Sequence, residues 1–133
     1  MKQFTFAKPE HLCLRQEIET LFAAGSHSMT AYPLRVVYRE VPHVSGPAVK
    51  VLMSVSKRRF RHAVDRNRAK RQLREAYRLN KHILLQALPE GTGLHVAFLW
   101  LSDRPVDSRQ IHSRMSNLLV RITEKLTVAK EEE

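Results

Sequence analysis

Residues 57–81, KRRFRHAVDRNRAKRQLREAYRLNK, carry eleven of the chain's 23 Lys and Arg and only two of its 13 Asp and Glu. Nine of the ten formal positive charges therefore sit in this one segment, and the rest of the chain is electrically almost balanced. A core cannot take in such a stretch, because burying unpaired charge is prohibitively costly. It must lie on the surface and dock through the few apolar residues it owns. At the helical period, Ala69, Leu73, Ala76, Tyr77 and, further on, Leu84 fall on one face. Arg66, Lys70, Arg74 and Arg78 form an i, i+4 line on the adjacent face, with Asn67 and Arg71 beside it. A concentration of charge this local predicts a polyanionic partner.

The remaining bounds are ordinary. A chain of 133 residues, 43% hydrophobic and 27% charged, predicts one domain over 1–133 with a single modest core, and flexible ends at 1–10 and 129–133. Cys13 stands alone between Leu12 and Leu14, which suits a small buried hydrophobe in a reducing compartment. The N-terminus, MKQFTFAKPEHLCL, lacks a secretory pattern, and no window approaches 18 uncharged apolar residues. A soluble, cytoplasmic protein is expected. The stripe beside the basic line is too small in side-chain volume for a membrane-surface helix and suits a packed core.

Along the chain, Arg15 to Ala24 places Ile18, Leu21 and Phe22 at i, i+3, i+4 before Gly25, a short helix with a left-handed stop. Leu34–Arg39 (LRVVYR) and Ala48–Val55 (AVKVLMSV) are rich in β-branched and aromatic residues, and the Pro and Gly of VPHVSGP between them predict a hairpin. A long helix is expected from Asp65, as its cap, to Ala87, where Leu88-Pro89-Glu90-Gly91 ends it. Leu94–Leu101 (LHVAFLWL) predicts a strand inside the sheet. From Val106 and Asp107 a last helix carries Ile111, Met115, Leu118, Leu119, Ile122 and Leu126 on one face, followed by a solvated Lys130–Glu133 tail. No internal repeat occurs. The order helix, strand, strand, helix, strand, helix is an α+β sandwich.

Arg outnumbers Lys in the basic segment, and its planar fork matches phosphate at two points, while Asn67 can bond a sugar hydroxyl or base edge. Ser54, Ser56, Lys57, Arg58 and Arg59 lie at the exit of the preceding strand, near the free N–H groups of a helix start. With only Asp65 and Glu75 against eleven cations, the segment is expected to lack internal acid partners for its arginines, so self-repulsion favours an anionic ligand. These features favour an RNA or DNA backbone.

Residues Ser54 to Arg78, SVSKRRFRHAVDRNRAKRQLREAYR, resemble the bacterial ribonuclease P protein family, whose hallmark is a strand ending in an SVSKK-like sequence and then an xRNRxKRxxRExxR helix. The resemblance extends by element order to the first helix with its LF-x-x-G ending (Leu21, Phe22, Gly25), the late strand and the final helix. It implies a small mixed sheet of about four strands packed with three helices, ribosomal-protein-S5-domain-2-like, with a left-handed βαβ crossover where pattern alone predicts a right-handed one. It implies that the protein is not the catalyst. A large RNA subunit with bound Mg²⁺ hydrolyses the phosphodiester joining a 5′ leader to mature transfer RNA, and the protein binds that RNA and the leader of precursor transfer RNA, with no obligate protein partner.

Carried onto this sequence, the motif assigns Lys57, Arg66, Asn67, Arg68, Lys70, Arg71 and Arg74 to the catalytic RNA, and the flanking Arg58, Arg59, Arg61 and Arg78 join that surface. Arg68 projects away from the i, i+4 line, which leaves packing and a second RNA contact both open. The family's second surface is a cleft between the first helix and the sheet that holds the leader with aromatic platforms. Ile18, Phe22, Val36 and Tyr38 are its candidates, with Ile18 standing where the family often has an aromatic and the strand position falling on Val36 or Tyr38. The late strand ends Trp100-Leu101 in place of the family's basic residues, and Leu52 and Met53 replace the family's glycine before the SVSK-like sequence. Core burial is the favoured role for Trp100.

Two rivals fit less well. A self-sufficient nuclease would need His27, His62, His82, His95 or His112 as acid and base, or carboxylates to hold metal, and no such spacing occurs. A helix-turn-helix DNA regulator would need a helical triad in place of three strand-forming runs. A generic ribosomal or RNA-chaperone protein is set aside only by the 54–78 motif.

Overall fold

A computed structural model describes residues 10–132 apart from 13, 24, 44 and 45, with side chains as far as Leu126. The expectation for Cys13 lies outside the described residues, as do residues 1–9. The elements in chain order are α1 (Arg15–Leu21), β1 (His27–Ala31), β2 (Leu34–Pro42), β3 (Val49–Ser54), α2 (Ala63–Asn80), α3 (His82–Ala87), β4 (Thr92–Trp100) and α4 (Ser108–Glu132). One mixed sheet has the order β1-β2-β4-β3. β1 and β2 pair antiparallel, as do β2 and β4, while β3 and β4 run parallel with Val51 opposite Val96.

The α+β architecture is as expected, but the hairpin between 34–39 and 48–55 does not form. β4 stands between those two strands. Leu94, Val96, Phe98 and Trp100 are buried on one face and Ala97 on the other, so only a central position with cover above and below removes this run from water. The hairpin is instead β1–β2, joined through Tyr32 and Pro33. β1 went unread because only Met29 of HSMTA is buried, which leaves almost no alternation to detect.

The basic helix also departs from expectation. It begins at Ala63 with His62 as N-cap, and Asp65 sits inside its first turn. It is interrupted at Lys81, giving four helices rather than three among the described residues. At the break the Asn80 side-chain amide donates to Ala76 O at 2.8 Å, and Lys81 turns its ammonium inward to Glu10 at 2.9 Å. α4 runs on into the stretch expected as a tail, since nothing in TVAKEE breaks a helix.

One face of the sheet carries the main core. Val36, Tyr38, Val51, Val96 and Phe98 pack against Ala69, Leu73, Ala76 and Tyr77 of α2 and Ile111, Met115, Leu118 and Ile122 of α4. Tyr77 and Phe98 pack with their rings tilted by 48° and centroids 5.9 Å apart. The opposite face holds a small cluster of Leu12, Leu21, Val37 and Ala97, with Ile18, Leu52 and Leu99 partly buried against it. Gly25, at φ +101°, turns the chain from α1 into β1, and a side chain there would be strained.

Candidate nucleic-acid interface

The turn before α2 is built around Phe60. Its backbone N–H and that of Arg59 both reach Ser56 O, and its buried ring lies 6.0 Å from Trp100. With Phe60 inserted, Lys57, Arg58 and Arg61 are left in solvent. Trp100 is buried, in the role favoured for it, and its indole Nε1 has no hydrogen-bond partner among the described residues. Arg66 Nη1 closes the turn by donating to Phe60 O at 2.9 Å and Arg61 O at 3.1 Å.

α2 buries Ala69, Leu73, Ala76 and Tyr77 and exposes Asn67, Arg68, Arg71, Arg74 and Glu75. The i, i+4 line advances about 40° per step, so it climbs from the shoulder of the buried face outward. Arg66 and Lys70 are half-buried and Arg74 is exposed. The centre of the solvent face is Asn67, Arg71 and Arg74, with Arg68 exposed at its border beside Phe60, Trp100 and Pro105. Not every cation is available. Arg59 pairs with Asp103 at 3.1 Å, and Arg78 pairs with Glu75 one turn away, whose carboxyl is held below its usual range by that hydrogen bond. The expectation that the segment lacks internal acid partners is thus corrected at these two arginines. Lys57, Arg58, Arg61, Arg68, Lys70, Arg71 and Arg74 make no ion pair with the described residues. Gln72 anchors the helix from the far side through Val106 O at 2.7 Å and Ser108 Oγ at 3.0 Å.

The second surface is the sheet face beneath α1. Phe22 caps α1 and is 48% exposed, and Ile18 is half-buried over the small cluster. Val36 and Tyr38 do not line this face. Strand alternation points both into the main core, where Tyr38 stacks on His27 at 5.1 Å and burial pushes its hydroxyl pKa up. The strand residues on the α1 side are Arg35, Val37 and Arg39, which the i, i+2, i+4 parity of the run LRVVYR marks and an expectation built on the aromatic passes over. Arg39 donates to Thr20 O at the end of α1. Glu17 fastens the other end of α1 to the floor, 3.7 Å from Lys50 and 3.5 Å from His95. Desolvation lowers the His95 pKa against the opposing pull of Glu17.

The histidines are dispersed. His62 caps α2, His95 meets Glu17, and His112 Nδ1 lies 3.1 Å from the Asn80 amide. Among the described residues no three His, Cys, Asp or Glu side chains converge as metal ligands, and no helix is long and apolar enough to cross a membrane.

Known proteins resemble this chain in sequence and in fold. The ribonuclease P protein component of Porphyromonas gingivalis is 46% identical over 120 residues, 90% of this chain and 87% of its own length. That of Chlorobium phaeobacteroides is 41% identical over 106 residues, 71% of this chain and 72% of its own. The solved ribonuclease P protein of Thermotoga maritima superposes with a TM-score of 0.64 at 23% identity, covering 84% of this chain and 96% of that one. That of Staphylococcus aureus gives 0.64 at 17% identity, covering 85% and 94%. The family model described as Ribonuclease P matches residues 6–123, a span that takes in the Phe60 turn, the arginine face of α2 and the α1 side of the sheet. The chain belongs to the ribonuclease P protein family, the protein component of the endonuclease that processes the 5′ end of transfer RNA.

Proposed function

We propose that the exposed side of α2, with the turn before it, holds the catalytic RNA, and that the α1 side of the sheet holds the 5′ leader of precursor transfer RNA. The observation that carries the first half is the set of cations without acid partners, Lys57, Arg58, Arg61, Arg68, Lys70, Arg71 and Arg74, braced by the Phe60 turn and the buried stripe of α2. Guanidinium groups held on a rigid helix meet phosphate at two points with little ordering cost. On the second surface, exposed Phe22 offers a stacking plane, and Arg35 and Arg39 supply positive charge along the floor.

In this reading the chain performs no bond cleavage. Mg²⁺ suits RNA and substrate phosphates. The cations of α2 offer N–H donors in place of the oxygen ligands Mg²⁺ needs, so the protein's part is to bind and orient RNA. The setting is the cytoplasm, and no obligate protein partner is required. The test is cleavage of precursor transfer RNA by a bacterial ribonuclease P RNA at low Mg²⁺. Adding this protein should raise cleavage and favour precursor over mature transfer RNA in binding, and protein that cleaves as well without the RNA subunit would overturn the reading.

A further inference from the structure

At the far edge of the sheet from β3, three arginines converge on β1 from both layers. Arg35 Nε donates to Ser28 Oγ at 3.0 Å on the α1 side. From α4, Arg114 Nε donates to Tyr32 O at 3.0 Å and Arg121 Nη1 to Thr30 O at 3.0 Å. Each is thereby fixed by one neutral acceptor, and none of the three pairs with a carboxylate among the described residues. Elsewhere Arg15, Lys50, Arg59, Arg78 and Lys81 all have acid partners. A guanidinium has five N–H donors, so a single bond to a carbonyl leaves the charge and most of the fork free. Tyr32, whose carbonyl takes the Arg114 bond at the end of this row, is 62% exposed. From Ser108 to Leu126, α4 has one acid, Glu124, against Arg109, Arg114, Arg121 and Lys125.

We infer that this edge is an extension of the leader path, binding the distal 5′ nucleotides of precursor transfer RNA through their phosphates, with Tyr32 as a stacking platform. The inference rests on the reading of the α1 face as the leader cleft. Continuity supports the occupant: Arg35 belongs to the cleft floor, and Thr30, its register partner on β1, accepts from Arg121 through its carbonyl. A strand leaving the cleft past Arg35 meets Arg121 and Arg114 next. An exposed aromatic at the end of a row of preorganised arginines is the composition of a single-strand site. Protection of an edge strand by charge accounts for the two α4 arginines alone. It does not require Tyr32, or that none of the three arginines pairs with a carboxylate among the described residues.

The test measures affinity of the protein–RNA holoenzyme for precursor transfer RNA with a short leader, the same with a long leader, and mature transfer RNA. Arg114→Gln/Arg121→Gln should weaken long-leader binding by about tenfold, lower the log–log salt slope for it by about 1.4, and leave the other two unchanged. Arg114→Lys/Arg121→Lys keeps the charge and should restore the slope. An equal loss for all three RNAs, an unchanged slope, or a fall in thermal stability with wild-type long-leader affinity overturns the inference. Should the glutamine variant not fold, exposed Tyr32→Ala decides the matter: it should weaken long-leader binding alone, and wild-type affinity overturns the proposal. Phe22→Ala separates the two readings, since a retained preference for short-leader precursor over mature transfer RNA in that variant refutes the cleft itself whatever the edge does.

Discussion

Arg66 donates to Phe60 O at 2.9 Å, so an arginine on the shoulder of α2 fastens the turn that leads into its own helix. One of its nitrogens is committed to the fold, and the same bond fixes where Lys57, Arg58 and Arg61 stand. The basic segment therefore divides into arginines that build the surface and arginines that are the surface.

Arg66→Ala is expected to lower stability by about 1–2 kcal/mol, through the lost hydrogen bonds to two carbonyls, and to weaken RNA binding as well. Urea denaturation with parallel affinity measurement checks this. Weakened binding at unchanged stability would show that Arg66 acts on RNA alone.

Arg71→Ala and Arg74→Ala remove exposed side chains without internal partners. Each should cost about 1–3 kcal/mol in affinity for the catalytic RNA and lower the salt slope, with an unchanged melting temperature. Arg59→Ala should cost less, because its ion pair with Asp103 must be given up before it can serve a phosphate. Titration at several salt concentrations ranks the three.

Phe22→Ala should reduce affinity for precursor over mature transfer RNA by about 1–3 kcal/mol, as the loss of one stacked base requires. Val36→Ala, by contrast, should act on stability at about 1 kcal/mol or more through its fully buried methyls, with the precursor preference intact. A selective binding loss from Val36→Ala would return that residue to the cleft.

Lys81→Met should be destabilising, on the order of 3 kcal/mol, because it takes the ammonium away from the Glu10 carboxylate at a nearly buried position. The double variant Glu10→Gln/Lys81→Met should recover part of that loss. Thermal unfolding of both singles and the double closes the cycle, and strict additivity would deny the coupling.

His95 has a folded-state pKa below its usual 6.5, chiefly from desolvation. Its neutral form is the one the fold favours, so its contribution to stability is complete above about pH 6.5 and is lost as pH falls toward the depressed value. His95→Gln should flatten stability in that acid window and leave it unchanged at pH 8. Chemical denaturation across the range provides the measurement.

The Arg-rich helix, its apolar stripe and the strand Leu94–Trp100 were legible because each depends on local periodicity alone. β1 was not, since a five-residue edge strand with one buried side chain has no pattern of its own and exists through its partner. The break at Lys81 is less legible for a related reason: the partner that Lys81 turns inward to meet, Glu10, lies 71 residues away in sequence.

Sequence by itself determined that a charged helix must stay in solvent and which of its residues must not, because desolvating a cation is costly whatever the topology. Which arginines remain unpaired was decided by tertiary structure, as was whether Val36 or Val37 faces α1. Asp103 reaches Arg59 from another loop, and strand parity is set only when β4 enters between β2 and β3. Those outcomes depend on contacts between segments far apart in the chain, whose register is fixed by burying the sheet on both faces at once.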